Sequence, residues 1–202
     1  MKGIGVILLL VVWSLSGIAQ KGYVPAPENL KARKEFQDNK FGIFLHWGLY
    51  SMLAQGEWVM TNQNLNHLEY RKLASGFYPS RFDAAEWVAA IKASGAKYIC
   101  ITTRHHEGFS MWNTQYSDYN IVKATPFQRD ILKELAEECK KQGIKLHFYY
   151  SHLDWDREDY PIGRTGRGTG RSGKSDWKSY YRFMNDQLAE LITKYDPAMI
   201  WF

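Results

Sequence analysis

The chain has 202 residues, of which 45% are hydrophobic and 15% are aromatic, and its formal net charge is +5. A chain of this length and composition buries enough apolar surface for one folded domain, which excludes disorder along the whole length. Four of the positive charges fall in one glycine-rich loop, so no extended basic face for nucleic acid is expected. These charges belong to Arg164, Arg167, Arg171 and Lys174.

The first twenty residues have the pattern of a secretory signal peptide. Lys2 precedes an apolar stretch at residues 4–12, and Gly17 and Ala19 have the spacing of a signal-peptidase site. A membrane anchor is the alternative, but the stretch is shorter than the roughly 20 residues of a spanning helix. The sequence therefore predicts a signal peptide at residues 1–19 and export to the periplasm or the exterior of a bacterium, with no membrane span after cleavage.

Four short segments, rich in apolar and β-forming residues, are predicted to be strands. Their apolar character is nearly continuous rather than alternating, which is typical of strands that are covered on both faces of a parallel sheet. The predicted strands are residues 41–48, 97–103, 145–151 and 198–202.

Amphipathic helices are predicted between these strands. Asp83 and Glu86 have the spacing of a capping box at the start of the first helix. Asp130 caps the next helix, which ends before Gly143. Apolar residues in the segment 177–192 recur with a period near 3.6, which predicts a third helix of about four turns.

This order of strand, long loop, helix and strand favours repeated βαβ units. Such units build either a doubly wound sheet or a (β/α)₈ barrel. The long polar and aromatic segments that follow each strand favour the barrel, because barrel enzymes form their sites from these loops. A complete barrel has eight strands, so the predicted fold is the first four strands of a TIM-like barrel, with residues 20–202 as the N-terminal part of the domain.

Histidine, tryptophan, tyrosine and acidic side chains gather where the predicted strands end. Aromatic rings cover the C–H faces of sugars, while imidazole, carboxylate and indole N–H groups bind sugar hydroxyls. The pattern predicts a carbohydrate pocket, although any one of these residues could instead have only a packing role. The residues are His46, Trp47, Glu57, Trp58, Arg104, His105, His106, Glu107, Trp112, Tyr149, Tyr150, His152, Asp154 and Trp155.

Two further patterns have alternative interpretations. The run of His105, His106 and Glu107 offers metal ligands, but neighbouring strand residues point to opposite faces, and no HExxH or CxxC pattern is present. No metal and no cofactor are therefore predicted. Cys100 and Cys139 are predicted to be buried free thiols.

The segment "GTGRSGKS" at residues 168–175 matches the phosphate-binding P-loop pattern. A P-loop follows directly from a buried strand, whereas the preceding predicted strand ends near Ser151. A flexible basic loop is therefore the favoured interpretation, and nucleotide binding is the alternative.

Four segments resemble the α-L-fucosidases of glycoside hydrolase family 29. They read "FGIFLHWGLYSMLAQGEW", "AKYICITTRHHEGFSMW", "RDILKELAEECKKQGIKLHFYYSHLDW" and "YDPAMIWF". The resemblance implies a retaining exo-glycosidase that releases terminal α-L-fucose from oligosaccharides or glycoconjugates by double displacement. It also implies that fucose is bound by His46, Glu57, Trp58, His105, His106, Tyr150 and Trp201.

The resemblance places the aspartate nucleophile immediately after Phe202 and the glutamate acid/base later still. A retaining mechanism needs two carboxyl groups about 5 to 5.5 Å apart. No catalytic residue is therefore expected in this chain, which we expect to be inactive alone, and the alternative is a non-catalytic carbohydrate-binding remnant. A rearranged catalytic pair would have to come from the remaining carboxylates, Glu57, Glu107, Asp154 and Asp156.

Overall fold

A computed structural model describes residues 22–202, and the predicted signal peptide lies outside these residues. Four strands form one parallel sheet in the order β1-β2-β3-β4. All four predicted strands are confirmed; β1, β3 and β4 are shorter than predicted, and β2 is shifted by one residue. They are β1 (Gly42–Leu45), β2 (Tyr98–Arg104), β3 (Lys145–Tyr150) and β4 (Met199–Trp201).

The strand order distinguishes between the two parallel architectures. A doubly wound sheet reverses its direction of growth at a switch point. Here Ile43 of β1 pairs with Ile99 of β2, and Phe148 of β3 pairs with Ile200 of β4, so each new strand adds to the same edge. Within residues 22–202 the sheet therefore grows in one direction only.

The α-helices of the described residues are α1 (Pro27–Asn39), α2 (Val59–Asn62), α3 (His67–Arg71), α4 (Ala84–Ala93), α5 (Ile131–Gln142) and α6 (Trp177–Tyr195). The three long helices predicted between strands are confirmed as α4, α5 and α6. The Asp83 side chain accepts the Glu86 amide, and Asp130 accepts the Lys133 amide, as the capping patterns predict. Gly143 ends α5 at a φ of 75°, a conformation that favours glycine.

One face of the sheet, here called the helix face, packs beneath these helices. It presents Ile99, Ile101, Leu146 and Phe148, all of them buried. They belong to one hydrophobic core with the apolar stripes of α4, α5 and α6. The opposite side, called the open face, presents Phe44, Tyr149 and Trp201, each at least partly exposed. The sheet therefore has one covered face and one face available to other groups.

Helix α1 was not predicted, because it has no apolar stripe and buries no residue fully. Its position is set by a few contacts with the amino ends of β2 and β3. The Phe36 ring lies 5.7 Å from Tyr98 and 5.8 Å from His147, and Glu35 pairs with Lys145 at 2.9 Å. Helix α1 thus covers the amino end of the open face.

The glycine-rich loop contacts other parts of the chain at several points. Arg171 is buried and donates to the carbonyls of Arg157 and Tyr160. Gly168 lies so close to the Asn64 side chain that an added Cβ would collide with it. The loop is therefore packed on the segment that follows β1. It also adjoins no strand, since β3 ends at Tyr150, and this differs from the arrangement of a P-loop.

Cys100 and Cys139 are buried and free, which confirms their prediction. In the part of the chain that the structure describes, we find no helix with the length and apolar character needed to cross a bilayer.

Candidate functional site

The carboxyl ends of the parallel strands bring three rings together. His46 follows β1, His105 follows β2, and Tyr149 belongs to β3. The His105 ring lies 5.5 Å from His46 and 5.6 Å from Tyr149, and His46 lies 5.8 Å from Tyr149. Residues that are about 50 positions apart in sequence therefore form one cluster at the carboxyl end of the sheet.

A β-bulge helps to place His105 in this cluster. Thr102 pairs with Tyr149 and Arg104 pairs with Tyr150, so β2 contains one residue more than β3 at this point. The extra residue turns Arg104 toward the helix face, and the next residue, His105, then turns toward the open face. Uninterrupted alternation would give the opposite result.

The cluster continues in two directions. Phe44 stacks on His46 at 5.0 Å and lies 5.9 Å from Trp201, and the exposure of Phe44 and Trp201 is 42% each. On the other side, His106 contacts Trp58 at 5.2 Å. We call the whole set the aromatic rim, which consists of Phe44, His46, Trp58, His105, His106, Tyr149 and Trp201.

The imidazole of His106 is held by its surroundings. Its Nδ1 lies 2.5 Å from the Ser151 hydroxyl, and its ring packs against Trp155 at 4.9 Å. Burial, followed by the charges of His105 and other neighbours, lowers the pKa of His106 to about 3. Burial likewise lowers the pKa of His105 to about 3. Both rings are therefore neutral near pH 7, with one donor and one acceptor nitrogen each.

Glu57 is partly buried in the loop after β1. Burial raises the pKa of Tyr149, a side-chain hydrogen bond from Ser151 opposes the change, and the negative charges of Glu107 and Glu57 add to it. The influence of Glu57 on Tyr149 indicates that its carboxylate lies near the aromatic rim.

Among the residues that the resemblance assigns to fucose, Tyr150 is the one that the structure does not bring to or near the rim. Arg104, Trp112 and Asp154 of the wider predicted set are also fully buried rather than part of the rim. Tyr150 is fully buried on the helix face, where its hydroxyl donates to Gln187 Oε1 at 2.8 Å. The Arg104 guanidinium lies 5.2 Å from its ring centroid. Successive strand residues face opposite sides, so Tyr149 takes the place expected for Tyr150. The buried Phe148 shares a face with Tyr150, which was the signal in the sequence that distinguishes the two tyrosines.

Two of the candidate carboxylates have structural partners. Asp154 pairs with Arg104, and its Oδ1 accepts the backbone amides of Asp156 and Arg157 at 2.8 Å each. Asp156 pairs with Arg71 at 3.1 Å. Within residues 22–202, no three His, Cys, Asp or Glu side chains converge as a set of metal ligands.

The fold and the rim together define a class of protein: a parallel α/β protein with a polar, aromatic ligand site at the carboxyl edge of its strands. A more specific assignment comes from comparison with known proteins. The chain belongs to the α-L-fucosidase family, whose sequence model matches residues 10–202. This result confirms the resemblance carried by the four segments.

Several known proteins are similar to the chain. The plasma α-L-fucosidase of Rattus norvegicus is 30% identical over 96% of the chain and 45% of the rat protein. The Lactobacillus casei α-L-fucosidase AlfC in complex with α-L-fucose product is 34% identical with a TM-score of 0.77, over 85% of this chain and 60% of that one. A Bacteroides thetaiotaomicron family 29 α-L-fucosidase, solved as a trapped covalent intermediate, is 35% identical with a TM-score of 0.74, over 85% and 41%.

The chain therefore spans about half the length of the curated relatives it matches.

Proposed function

We propose that this chain supplies the fucose-binding half of a retaining exo-α-L-fucosidase that releases terminal α-L-fucose from oligosaccharides or glycoconjugates. The observation that carries the proposal is the aromatic rim. In this member of the family, its rings come from four successive parallel strands and the segments that follow them. Aromatic planes, neutral imidazoles and a nearby carboxylate together suit a deoxyhexose, which has both an apolar C–H surface and hydroxyl groups.

In this proposal the four strands are the first half of a (β/α)₈ barrel. The sheet adds strands in one direction, and its open face keeps Phe44 and Trp201 42% exposed. Further strands that continue the sheet around a barrel would enclose this face. The chain also matches 45% of the length of the rat relative, which leaves room for further strands.

The proposed fucose contacts follow from the rim. His105 and His106 each offer a neutral imidazole, and Glu57 offers a carboxylate near them. Trp58, His46 and Trp201 complete the set that the sequence predicts. Tyr149 replaces Tyr150 as the tyrosine of the pocket, since its ring stacks on His105.

The proposal places both reacting carboxyl groups outside residues 22–202, with the nucleophile directly after Phe202. Asp154 and Asp156 are already occupied by Arg104 and Arg71, so neither is free to attack a sugar. Double displacement forms a covalent glycosyl-enzyme, and the Bacteroides relative is described as such a covalent intermediate. We also propose that residues 1–19 direct export to the periplasm or the exterior of a bacterium.

The test compares two proteins with an aryl α-L-fucoside: the full-length gene product, read from the coding sequence beyond the Phe202 codon, and the isolated 202-residue chain. We expect turnover by the full-length product, with the first-formed fucose in the α configuration by ¹H NMR, and none by the isolated chain. Turnover by the isolated chain, or a first product of β configuration, contradicts the proposal. A full-length product that binds L-fucose without turnover would instead be a carbohydrate-binding remnant.

A further inference from the structure

Behind the aromatic rim, Glu107 is buried next to His105. Its Oε2 lies 3.5 Å from His105 Nδ1, and the two side chains are 1% and 2% exposed. Among the described residues, neither of these two atoms has a hydrogen-bond partner. Unpaired buried polar atoms are costly, and these two are complementary, since a carboxyl oxygen and an imidazole nitrogen can share one proton.

The space for Glu107 depends on a glycine from the loop after β1. A Cβ at Gly48 would lie 3.0 Å from Glu107 Oε1 and 2.8 Å from the Tyr50 ring. Gly48 has extended backbone with φ of −176°, so glycine is needed here for space rather than for its conformational freedom. Gly48 of the "HWG" segment and Glu107 of the "HHE" segment therefore lie in contact. The Glu107 carboxyl group has Gly48 beside one oxygen and His105 beside the other.

We propose that Glu107 is a positioning residue: by hydrogen bonding to Nδ1 of His105, it decides whether Nε2 of that ring offers fucose a donor or an acceptor. This proposal rests on the proposed function, in which His105 contacts the sugar. Nδ1 is the ring nitrogen of His105 that faces Glu107, so Nε2 is the one left for a ligand.

The two protonation states differ by one proton. When Glu107 carries its proton, the carboxyl group donates to Nδ1, and the ring proton sits on Nε2 as a donor toward the pocket. When the pair loses a proton, the carboxyl proton has moved onto Nδ1, which now donates to the carboxylate, and the Nε2 proton has left to solvent. Nε2 is then an acceptor only.

The surroundings of the pair favour the protonated state near pH 7. Burial raises the pKa of Glu107 to about 8. A backbone hydrogen bond and the charges of Arg104 and His46 lower this pKa, whereas the charge of Asp156 raises it. Burial and the charge of His46 lower the pKa of His105 to about 3, which keeps the ring neutral. The change of Nε2 from donor to acceptor is therefore expected around pH 8.

Four tyrosine hydroxyl groups also lie within the influence of Glu107. The negative charge of Glu107 adds to burial in raising the pKa values of Tyr50, Tyr70, Tyr119 and Tyr149. These phenols stay protonated throughout the relevant pH range. They do not titrate with the pair, so the pH dependence is assigned to Glu107 and His105.

The first experiment measures the Kd of L-fucose for the full-length gene product by calorimetry at about pH 6 and about pH 9. We expect binding to weaken about tenfold, the order of one lost hydrogen bond. The isosteric Glu107→Gln variant cannot ionise, so its Kd should not change with pH. As a matched control, Glu190→Gln alters another buried glutamate, which accepts from Trp112 at 3.0 Å, and it should keep the wild-type pH dependence.

An unchanged wild-type Kd between these pH values, or a Glu107→Gln variant with the wild-type pH dependence, overturns the proposal. If the protein binds no L-fucose at any pH, the proposed function fails. The pair is then tested by ¹⁵N NMR of the histidine-labelled wild-type protein, with His105 assigned by its absence in His105→Gln. We expect the ring proton on Nε2 at low pH and on Nδ1 at high pH. The same tautomer at both values overturns the inference without any appeal to binding or to a Glu107 variant.

Discussion

The two faces of the sheet use neighbouring residues for different purposes. On the helix face, Tyr150 is fully buried and its hydroxyl is paired with Gln187. On the open face, Tyr149 is partly exposed and stacks on His105 in the aromatic rim. Because neighbouring strand residues face opposite sides, a substitution at Tyr150 should affect stability, whereas one at Tyr149 should affect ligand binding.

The largest effect should come from the buried ion pair on the helix face. Asp154 and Arg104 are both fully buried and pair with each other. Asp154→Ala leaves the guanidinium buried without a counterion, so we expect the free energy of unfolding to fall by about 3–5 kcal/mol. Urea unfolding of the full-length gene product measures this change.

The control for that experiment is an exposed pair. Asp118 is 87% exposed and pairs with Lys123 at 2.7 Å, and Asp118→Ala should leave the free energy of unfolding essentially unchanged, because solvent screens an exposed pair. Equal losses in the two variants would mean that burial does not determine how much each ion pair contributes to the free energy of unfolding. The assignment of the helix face to stability would then be wrong.

The next prediction separates the two tyrosines directly. Tyr150→Phe removes the hydrogen bond to Gln187 and should cost about 1–2 kcal/mol of stability, because the amide oxygen loses its donor. Its affinity for L-fucose should not change. Tyr149→Ala removes a ring from the rim and should weaken L-fucose binding about tenfold. Calorimetry and urea unfolding of each variant provide both measurements.

Exchange of these two outcomes would contradict the proposed site. If Tyr150→Phe weakened fucose binding while Tyr149→Ala did not, the residue predicted from the sequence would be the ligand after all. Trp177→Ala serves as a matched control, since it removes a large, 46% exposed aromatic side chain from the start of α6, away from the rim. It should leave fucose binding unchanged.

The sequence predicts much of the fold, because the strands and long helices carry strong local signals. Continuous apolar runs locate the strands, and the aspartate caps locate the starts of α4 and α5. Helix α1 escapes prediction because its position depends on a few tertiary contacts, such as that of Phe36 with Tyr98, rather than on a stripe of its own. Long-range contacts of this kind leave no periodic pattern.

The site is predicted less completely than the fold. Strand ends correctly indicate where His46 and His105 lie, because parallel strands share one carboxyl edge. The choice between Tyr149 and Tyr150 has a weak signal in the sequence, because Phe148 shares a face with Tyr150. The orientation of His105 depends on the bulge beside Arg104, which residue type alone does not indicate, so this detail requires the structure.

The last expected effect concerns only the pH dependence of stability, and it refines the comparison by depth within the open face. His147 lies two residues before Tyr149, but at the end that α1 covers, where it is 2% exposed and stacks on Tyr98 at 4.4 Å. Burial, with the Lys145 charge, lowers its pKa to about 4, although Glu35 opposes the change. A histidine at this depth should affect stability rather than fucose binding.

The sign of the effect of His147 follows from proton binding. An unfolded histidine takes up a proton near pH 6.5, whereas folded His147 does so only near pH 4, so the unfolded state binds more protons between these values. Stability should therefore fall as pH decreases through this window. His147→Gln should reduce that slope by up to about 1.4 kcal/mol per pH unit. His152→Gln, at an exposed histidine, should reduce it less. If both variants kept the full wild-type slope, the burial of His147 beneath α1 would not be the cause of this pH dependence. The assignment of the covered end of the open face to stability would then be wrong.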